Sequence, residues 1–308
     1  MADRPVLQVK QLYKVFGDYV AVKHISFELQ EGEIVGLLGA NGAGKTTTIQ
    51  MLLSTMTPTS GSIVYFGKDL ATNRSDVLQH VSFASTYVRL QGKLTIYENL
   101  DFFGKIYGLS AIDRRVRIEQ FLKFFAMWDL KDRYAGSLSA GETTRVMLAK
   151  AFVARPKIVL LDEPTASLDP DVAHDVRAFV KEQQQQHGVS VLFTSHNMDE
   201  VAALCSRVLV LKKGIILAND SPANLACSIA GAKLKLTIHE SQVHQVERFI
   251  AQKSLLFSRE GSVFDIAIDE HAISDFLLAL AREEITYCQI SIEKPTLENY
   301  FLHIAKNI

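Results

Sequence analysis

The 308-residue sequence has few of the features that mark secreted, membrane-spanning or nucleic-acid-binding chains. Its cysteines, Cys205, Cys227 and Cys288, form an odd, scattered set without metal-ligand spacing, which fits a reducing cytoplasm better than a disulfide scaffold. The N-terminal residues lack the apolar core of a signal peptide. No uninterrupted apolar run approaches the ~20 residues of a membrane span. We therefore expect a cytoplasmic chain that acts at a membrane only through a partner.

An excess of charge of one sign is also missing. Lys and Arg total 33, Asp and Glu total 34, and the formal net charge is −1, with no block of basic residues. This balance argues against a dominant nucleic-acid surface, and no nucleic-acid partner is expected. The composition, 48% hydrophobic and 22% charged, is typical of a globular protein. The length favours two domains, because single cores stop growing near about 250–300 residues.

A glycine-rich loop between an apolar run and a helical pattern carries the strongest chemical signal. It consists of Gly39, Ala40, Asn41, Gly42, Ala43, Gly44, Lys45, Thr46 and Thr47. In this strand–loop–helix setting the spacing G-x-x-x-x-G-K-[ST] predicts a nucleoside triphosphate site. The glycines let backbone N–H groups close around phosphate oxygens, and the helix N-terminus adds a favourable dipole end. We expect Lys45 to reach the β- and γ-phosphates and the Thr46 hydroxyl to ligate Mg²⁺.

Two adjacent carboxylates follow a second apolar run, Ile158 to Leu161. Open α/β sheets bind their ligands at the carboxyl ends of the strands, where this pair is expected to lie. Asp162 is predicted to anchor Mg²⁺ through water, and Glu163, on the other side of the strand, to orient and deprotonate an attacking water. The alternative is a solvated strand end without chemistry.

Two single residues are weaker candidates. His196 follows a further predicted strand, 189–194. A histidine at the end of a parallel strand is a candidate for sensing a γ-phosphate, although a lone histidine is usually structural. Phe16 lies ahead of the loop, where its ring could stack on a purine. Taken alone, Phe16 is better explained as a core residue.

The remaining patterns outline the architecture of the first two thirds. Residues 6–30 alternate as antiparallel strands do, residues 62–66 and a stretch within 77–84 favour strands, and residues 94–150 are helical in period. Ile118, Phe121, Leu122 and Phe125 recur on one helical face.

Further motifs follow the glycine-rich loop in a characteristic order: Leu138-Ser139-Ala140-Gly141-Glu142, Asp162-Glu163, Ala166-Ser167-Leu168-Asp169 and His196. With these motifs, the sequence resembles the ATP-binding cassette (ABC) ATPases over about residues 5–220. The resemblance implies an α/β P-loop NTPase fold with a parallel core sheet, an antiparallel β-subdomain and a helical subdomain. The implied ATP-binding domain is 1–222, with its helical subdomain at about 87–155.

The resemblance also implies a role for each motif. Gly39–Thr47 becomes the Walker A loop, Leu138–Glu142 the signature, Ile158–Asp162 the Walker B strand, Glu163 the catalytic base, Asp169 the D-loop residue, His196 the switch histidine and Phe16 the adenine-stacking ring. In this family two cassettes pack head-to-tail with two ATPs between them, and Ser139 and Gly141 of one chain grip the γ-phosphate held by the other. A homodimer is therefore implied, with ATP and Mg²⁺ bound, beneath a separate integral membrane permease.

Two departures from the family pattern affect these expectations. The signature has Ala140 and Glu142 where the family has Gly and Gln; Ala permits close approach, whereas Glu adds negative charge near a phosphate, so we expect a working but weaker site. The glutamine that normally contacts Mg²⁺ and couples to the permease is replaced by Thr86, and Gln91 comes five residues late. Neither Thr86 nor Gln91 is assigned to catalysis.

The last third, 223–308, is predicted to be a small accessory α+β domain. Its strand and helix patterns follow the order β-α-β-β-α-β, which favours a ferredoxin-like fold. Its ending, Glu293 to Leu302, resembles the tail of ABC-2-type exporter ATPases. This final helix either packs to close the domain or makes a regulatory or dimer contact.

The leading hypothesis is the ATP-hydrolysing subunit of an ABC exporter, peripheral on the inner face of the cytoplasmic membrane through its permease. One alternative is a soluble cassette ATPase that serves translation or DNA repair. Those relatives usually carry two cassettes or a long coiled coil. A regulatory module with weak hydrolysis is a further alternative, suggested by the missing glutamine. The transported substrate is not predicted, because cargo contacts the permease.

Overall fold

The computed structural model describes residues 5–85, 90–166, 168–228, 233–269 and 272–306. The chain divides into two compact units, Met1–Ser221 and Pro222–Ile308. Thr86 lies outside the described residues. Within them, no helix combines the length and the apolar composition required to cross a bilayer.

The first unit alternates strands and helices along the chain. Its strands are β1 (Pro5–Phe16), β2 (Tyr19–Gln30), β3 (Ile34–Leu38), β4 (Ser60–Tyr65), β5 (Lys68–Asp69), β6 (Val81–Ser85), β7 (Ile158–Asp162), β8 (Ser190–Thr194), β9 (Arg207–Lys212) and β10 (Ile215–Asp220). Its helices are α1 (Lys45–Leu52), α2 (Arg74–Leu78), α3 (Ile96–Ile106), α4 (Ala111–Phe124), α5 (Ala140–Val153), α6 (Pro170–His187) and α7 (Met198–Leu204). The strand expected within 77–84 begins at Val81, because Val77 and Leu78 end α2 and residues 79–80 form a turn.

A six-stranded sheet of order β10-β9-β3-β8-β7-β6 forms the core of this unit. Every residue of β3, β7 and β8 is buried, which explains their near-continuous apolar sequences, since parallel strands are covered on both faces. β7 pairs with β8 in parallel, and Asp162 lies opposite Thr194 at the carboxyl end of the pair. The predicted parallel core sheet is confirmed.

The antiparallel region predicted for residues 6–30 is a second sheet, of order β2-β1-β4-β5. β1 and β2 form a hairpin whose closing pair is Phe16 opposite Tyr19. The inward side chains of this hairpin and those of the parallel sheet share one hydrophobic core, which includes Leu12, Val22 and Leu209.

Three helices, α3, α4 and α5, make up the predicted helical part. The expected apolar face of α4 is buried, including Ile118 and Phe121. Phe179 of α6 contacts four phenylalanine rings at centroid distances from 4.6 to 5.7 Å, contributed by Phe121, Phe124, Phe125 and Phe152. Such aromatic contacts add to area burial and attach the helices to the core.

The second unit contains strands β11 (Lys233–Ile238), β12 (Phe257–Glu260), β13 (Val263–Ala267) and β14 (Tyr287–Glu293), and helices α8 (Pro222–Cys227), α9 (Val243–Gln252), α10 (Ile273–Arg282) and α11 (Leu297–Lys306). The sheet order is β12-β13-β11-β14, and each neighbouring pair is antiparallel. Leu236, Phe264 and residues of α9 and α10 share one core. The predicted ferredoxin-like order β-α-β-β-α-β is therefore confirmed, from β11 to β14.

Candidate functional site

The glycine-rich loop connects β3 to α1 through backbone conformations that only glycine adopts easily. Gly44 caps α1 with a φ of 106°, in the left-handed region, and no side chain caps the helix. A Cβ on Gly44 would lie 2.6 Å from the carbonyl oxygen of Ala21, and one on Gly39 would collide with the Leu211 carbonyl. The first N–H groups of α1 therefore stay open to a ligand, as at other phosphate-binding helix N-termini.

A cavity of about 410 Å³ lies over this loop. Its lining combines the loop, the two carboxylates that end β7 and two aromatic rings from the β1–β2 hairpin: Phe16, Tyr19, Ala21, Ala40, Asn41, Gly42, Ala43, Gly44, Lys45, Thr46, Thr47, Asp162 and Glu163. A larger cavity of about 900 Å³ is lined by residues such as Lys157 and Ser190, near the starts of β7 and β8, and by none of the predicted site residues. The smaller cavity is the candidate site, because the predicted phosphate-binding loop and the two carboxylates line it.

Lys45 is held over the loop by the loop's own carbonyl oxygens. Its Nζ donates to the carbonyl of Gly39 at 2.6 Å and to that of Ala40 at 3.4 Å. Burial lowers the pKa of Lys45, against the opposing effect of the Glu163 and Asp162 charges. An anion in the cavity would raise the pKa of Lys45 again and stabilise its charged form.

Asp162 is almost fully buried, with 4% of its surface exposed. Its Oδ1 accepts a hydrogen bond of 2.7 Å from Thr194 Oγ1. Burial raises the pKa of Asp162, the Thr194 hydrogen bond opposes this shift, and the neighbouring Glu163 charge adds to it. A bound cation at this carboxylate would relieve the penalty of burying its charge.

Glu163 does not lie on the opposite side from Asp162, as strand alternation predicted. Its φ is 51°, in the left-handed region, so the strand ends there and both carboxylates line the same cavity. The Glu163 N–H donates to both the carbonyl and the hydroxyl of Thr194, at 3.1 and 3.0 Å. His196 Nδ1 lies 3.3 Å from Glu163 Oε2, which brings the predicted base and the predicted switch histidine together.

Phe16 is 45% exposed and lines the cavity, so it is not a core residue. Lys14 Nζ lies 5.1 Å from the centre of the Phe16 ring. Tyr19 lines the cavity as well and donates from its hydroxyl to the Gly42 carbonyl at 3.3 Å. Tyr19 and Thr194 were not predicted from the sequence. Position was the only available signal for either residue. Tyr19 lies opposite Phe16 in the hairpin, and Thr194 lies at the carboxyl end of β8, the strand beside β7.

The signature residues do not line this cavity. Ser139 caps α5, accepting from the Glu142 N–H at 3.2 Å, while the Ser139 N–H donates to Glu142 Oε2 at 2.8 Å. Glu142 also pairs with Arg133 at 3.2 Å. The pKa of Glu142 is lowered, chiefly by the hydrogen bond from the Ser139 backbone. Gly141 lies in the same first turn.

Asp169 is likewise outside the cavity. It is exposed at the start of α6, and its side chain makes no capping hydrogen bond. Ser139, Gly141 and Asp169 are therefore absent from the lining of the cavity over the glycine-rich loop of their own chain.

Comparison with known proteins identifies the family that carries this site. A family model described as ABC transporter matches residues 22–166. The Nod factor export ATP-binding protein I of Cupriavidus metallidurans is 33% identical over 73% of this chain and 74% of its own length. The linearmycin resistance ATP-binding protein of Bacillus subtilis is 29% identical over 97% of this chain and 98% of its own.

Solved structures agree with the sequence comparisons. An ATP-binding subunit of an ABC transporter superposes with a TM-score of 0.68 at 27% identity, covering 71% of this chain and 91% of that one. A subunit from Clostridium perfringens, part of the ABC transporter complex cbiONQ, superposes with a TM-score of 0.64 at 26% identity, over 82% of this chain and 96% of its own. The predicted resemblance is confirmed: the chain belongs to the ABC transporter ATP-binding proteins and is an ATPase.

Proposed function

We propose that the chain is the ATP-hydrolysing subunit of an exporter, working as a homodimer beneath a separate membrane permease. The observation that carries this proposal is the cavity shared by Lys45, Thr46 and the two carboxylates of β7. Phosphate-binding groups, oxygen ligands for a cation and a candidate base occur together there. This combination is the one that phosphoryl transfer to water requires.

In this proposal the nucleotide lies across the cavity from the hairpin to the loop. Phe16 stacks on the adenine, the N–H groups of Gly42 and Gly44 contact the phosphates along the loop, and those of Thr46 and Thr47 contact them at the start of α1. The Ala43 N–H, which donates to the Ala40 carbonyl at 3.1 Å, exchanges this partner for a phosphate oxygen. Asn41 and Gly39 shape the turn. Lys45 exchanges its carbonyl partners for the β- and γ-phosphate oxygens, because charge-assisted hydrogen bonds are about twice as strong as neutral ones.

The donor set fits Mg²⁺ bound together with the nucleotide. Thr46 and Asp162 offer the hard oxygen ligands that Mg²⁺ prefers, and the buried Asp162 charge lacks a cation within hydrogen-bond distance among its described contacts. Among the described residues, no cluster of three or more His, Cys, Asp or Glu could hold a metal alone. Phosphate and water oxygens would complete the coordination, and the ion would neutralise charge on the phosphates.

Hydrolysis then proceeds at the edge of the cavity nearest Glu163. The Glu163 carboxylate orients a water in line with the γ-phosphate and takes its proton. The water oxygen bonds to phosphorus, the bond to the bridging oxygen breaks, and ADP and inorganic phosphate leave. His196, 3.3 Å from Glu163, contacts the γ-phosphate, and Lys45 stabilises the charge that develops on it.

A second chain supplies the groups that this cavity lacks. Ser139 and Gly141 of the partner subunit approach the γ-phosphate from the opposite side, and Asp169 contributes across the same interface. ATP bound between the two chains favours the closed dimer, and hydrolysis releases it. The cyclic opening drives the permease between its access states. Glu142 then weakens the composite site only slightly, because its charge is paired with Arg133.

The direction and location of transport are proposed from the relatives. Two of them are named for Nod factor export and for linearmycin resistance, and the similarity to the linearmycin resistance protein extends over 97% of this chain. The similar subunit from Clostridium perfringens is part of the ABC transporter complex cbiONQ. We place the protein at the inner face of the cytoplasmic membrane, bound to its permease, with residues 223–308 as an accessory domain.

Replacing Glu163 tests hydrolysis and dimerisation together. Glu163→Gln keeps the nucleotide site but removes the base, so turnover should fall by about 100-fold or more. ATP should then convert the protein to a dimer that persists in size-exclusion chromatography. Glu182→Gln, an exposed substitution on α6, serves as the control and should behave as wild type. Unchanged turnover in Glu163→Gln would contradict the base assignment.

Affinity purification from solubilised membranes tests the coupling. An integral membrane protein should co-purify with the tagged chain, and reconstitution with it in vesicles should make ATP hydrolysis depend on that protein. Recovery of the ATPase with ribosomal or DNA-repair proteins instead would favour the alternative class.

A further inference from the structure

Glu200, in α7, is a buried carboxylate that the proposed mechanism does not use. Only 6% of its surface is exposed. Its Oε2 accepts hydrogen bonds from Thr165 Oγ1 at 2.6 Å and from Ser195 Oγ at 3.0 Å. Its Oε1 accepts from Arg177 of α6 at 2.9 Å. A buried charge persists in a protein only when it is paired and hydrogen-bonded, and Glu200 meets both conditions.

The two hydroxyl partners of Glu200 belong to the segments that carry the proposed catalytic groups. Thr165 lies two residues after Glu163, in the turn that follows β7. Ser195 immediately precedes His196, and its Oγ also accepts from the N–H of Asn197 at 3.0 Å. One carboxylate oxygen therefore joins the segment after β7 to the segment after β8.

This junction lies beyond the end of the parallel sheet. The last strand pair joins Asp162 to Thr194, so the ladder itself stops one residue before Glu163 and two before His196. Both reactive side chains project from backbone outside the ladder, and Glu163 has a left-handed φ that a regular strand does not impose. The Glu163 N–H still donates to the carbonyl and the hydroxyl of Thr194. The pair of bonds to Glu200 Oε2 joins the two segments further along, at Thr165 and Ser195.

We infer that Glu200 is a positioning residue, which holds Thr165 and Ser195 on one buried oxygen and thereby fixes Glu163 relative to His196. Arg177 orients the carboxylate by its bond to the other oxygen. The inference rests on the proposed roles of Glu163 and His196. Because catalytic geometry tolerates little error, with about 1 Å of misplacement costing about 100-fold in rate, loss of this junction should act on turnover.

Glu200→Gln is the primary test, with Asp199→Asn as its matched control. Glutamine preserves the shape but places an NH₂ group against either Arg177 or the two hydroxyl donors. We expect kcat for ATP hydrolysis to fall by about 10- to 100-fold while KM for ATP changes by less than about 3-fold, since Glu200 does not line the nucleotide cavity. Asp199 is an exposed carboxylate on the same helix, and Asp199→Asn should retain wild-type kinetics.

A double substitution separates positioning from general stability. If Glu200 acts through the Glu163–His196 pair, Glu200→Gln combined with Glu163→Gln should retain the residual turnover of Glu163→Gln within about 2-fold. Glu200→Asp, which keeps the charge, should recover part of the lost kcat. The inference would be overturned if the loss of kcat in the double variant equalled the product of the two single losses. A parallel loss of ATP binding and thermal stability in Glu200→Gln would overturn it as well.

Single hydroxyl deletions keep the inference testable if Glu200→Gln does not fold. Thr165→Val and Ser195→Ala each remove one donor, and each should lower kcat by about 3- to 10-fold at nearly constant KM. Wild-type kcat in both would overturn the positioning role. The two proposals fail differently: full turnover in Glu163→Gln contradicts the base assignment, whereas full turnover in Glu200→Gln, with Glu163→Gln inactive, contradicts only the role of Glu200.

Discussion

Two helix N-termini of the first unit, those of α1 and α5, are assigned to the same phosphate group but are built in opposite ways. α1 begins at Gly44, whose left-handed backbone leaves the first N–H groups without a side-chain cap. α5 begins at Ser139, and a complete capping box with Glu142 occupies two of its N–H groups. The start of α1 lines a cavity, whereas Ser139 is exposed outside it.

The difference fits the proposal that each nucleotide site is shared between two chains. In the proposed site, the phosphates occupy the position of a cap on α1, where a capping side chain would compete with them. In the proposed dimer, the N-terminus of α5 meets the nucleotide only after the two chains close, so in the single chain its own capping box stabilises it. By helix geometry, the capping box leaves the N–H groups of Ala140 and Gly141, the two smallest side chains of the turn, for a ligand from outside.

The largest expected effect comes from removing the Lys45 ammonium group at the start of α1. Lys45→Ala should weaken binding of a fluorescent ATP analogue by about 100-fold, because the charge-assisted bonds to two phosphates are lost. Titration of the purified protein measures this. Lys68→Ala, an exposed lysine on β5, is the matched control and should bind normally. Tight binding by Lys45→Ala would remove α1 as the primary phosphate site.

The second effect separates α5 from α1 by the step it disturbs. Ser139→Ala should leave binding to the isolated chain within about 2-fold of wild type but lower the steady-state kcat by about 30-fold, since the hydroxyl acts only in the closed dimer. Loss of a cap also costs about 1 kcal/mol of stability. Ser110→Ala removes the equivalent cap of α4 and controls for that cost.

A binding defect in Ser139→Ala as large as that of Lys45→Ala would break the comparison. It would mean that both helix N-termini contact the nucleotide within one chain. Equal kcat losses in Ser139→Ala and Ser110→Ala would mean that only the stability of a helix was lost.

The sequence was sufficient to predict the parts of the site that depend on neighbours in the chain. The glycine-rich loop, Lys45 and Asp162 were predicted because their chemistry is set by local spacing and by the end of a buried strand. The side of the strand on which Glu163 lies was predicted wrongly. Its left-handed backbone depends on Thr194, a residue of another strand, and no local pattern indicates that contact.

In the fold, too, local features were predictable from the sequence and long-range contacts were not. The ferredoxin-like order of the second unit followed from alternation and helical period. In contrast, the bond from Thr165 to Glu200 joins residues separated by the whole of α6 and β8. The capping box of α5 is an exception, since the spacing Ser-x-x-Glu is itself a local signature. In the sequence it appeared only as a departure from the family pattern.

Lys150, near the end of α5 opposite to Ser139, should make the stability of the protein depend on pH. Burial lowers the pKa of Lys150 to about 8, although its Nζ lies 4.7 Å from the centre of the Phe103 ring. Between pH of about 8 and the unfolded pKa of about 10.4, the folded state loses a proton that the unfolded chain keeps, so the free energy of unfolding should rise with pH.

Lys150→Met should abolish that rise and stabilise the protein at pH 7 by about 1–2 kcal/mol, part of the desolvation penalty being offset by the lost cation–π contact. Denaturant unfolding between pH 7 and 10.5 measures this. Lys181→Met, an exposed position on α6, is the control and should keep the pH dependence. Unfolding free energies of wild type and Lys150→Met that stay parallel over the whole range would contradict the assignment.

The smallest effect is expected where the sequence departs most visibly from its family. Glu142→Gln should change kcat by less than about 2-fold, because the carboxylate is already paired with Arg133 and the amide oxygen can still accept from the Ser139 N–H. Arg133→Ala should lower kcat by about 3- to 5-fold, since it exposes a partner phosphate to the uncompensated Glu142 charge. Adding Glu142→Gln to Arg133→Ala should then restore the rate. A large gain in Glu142→Gln alone would show that the capped helix is inhibited by its own carboxylate, and that the two N-termini differ in strength as well as in position.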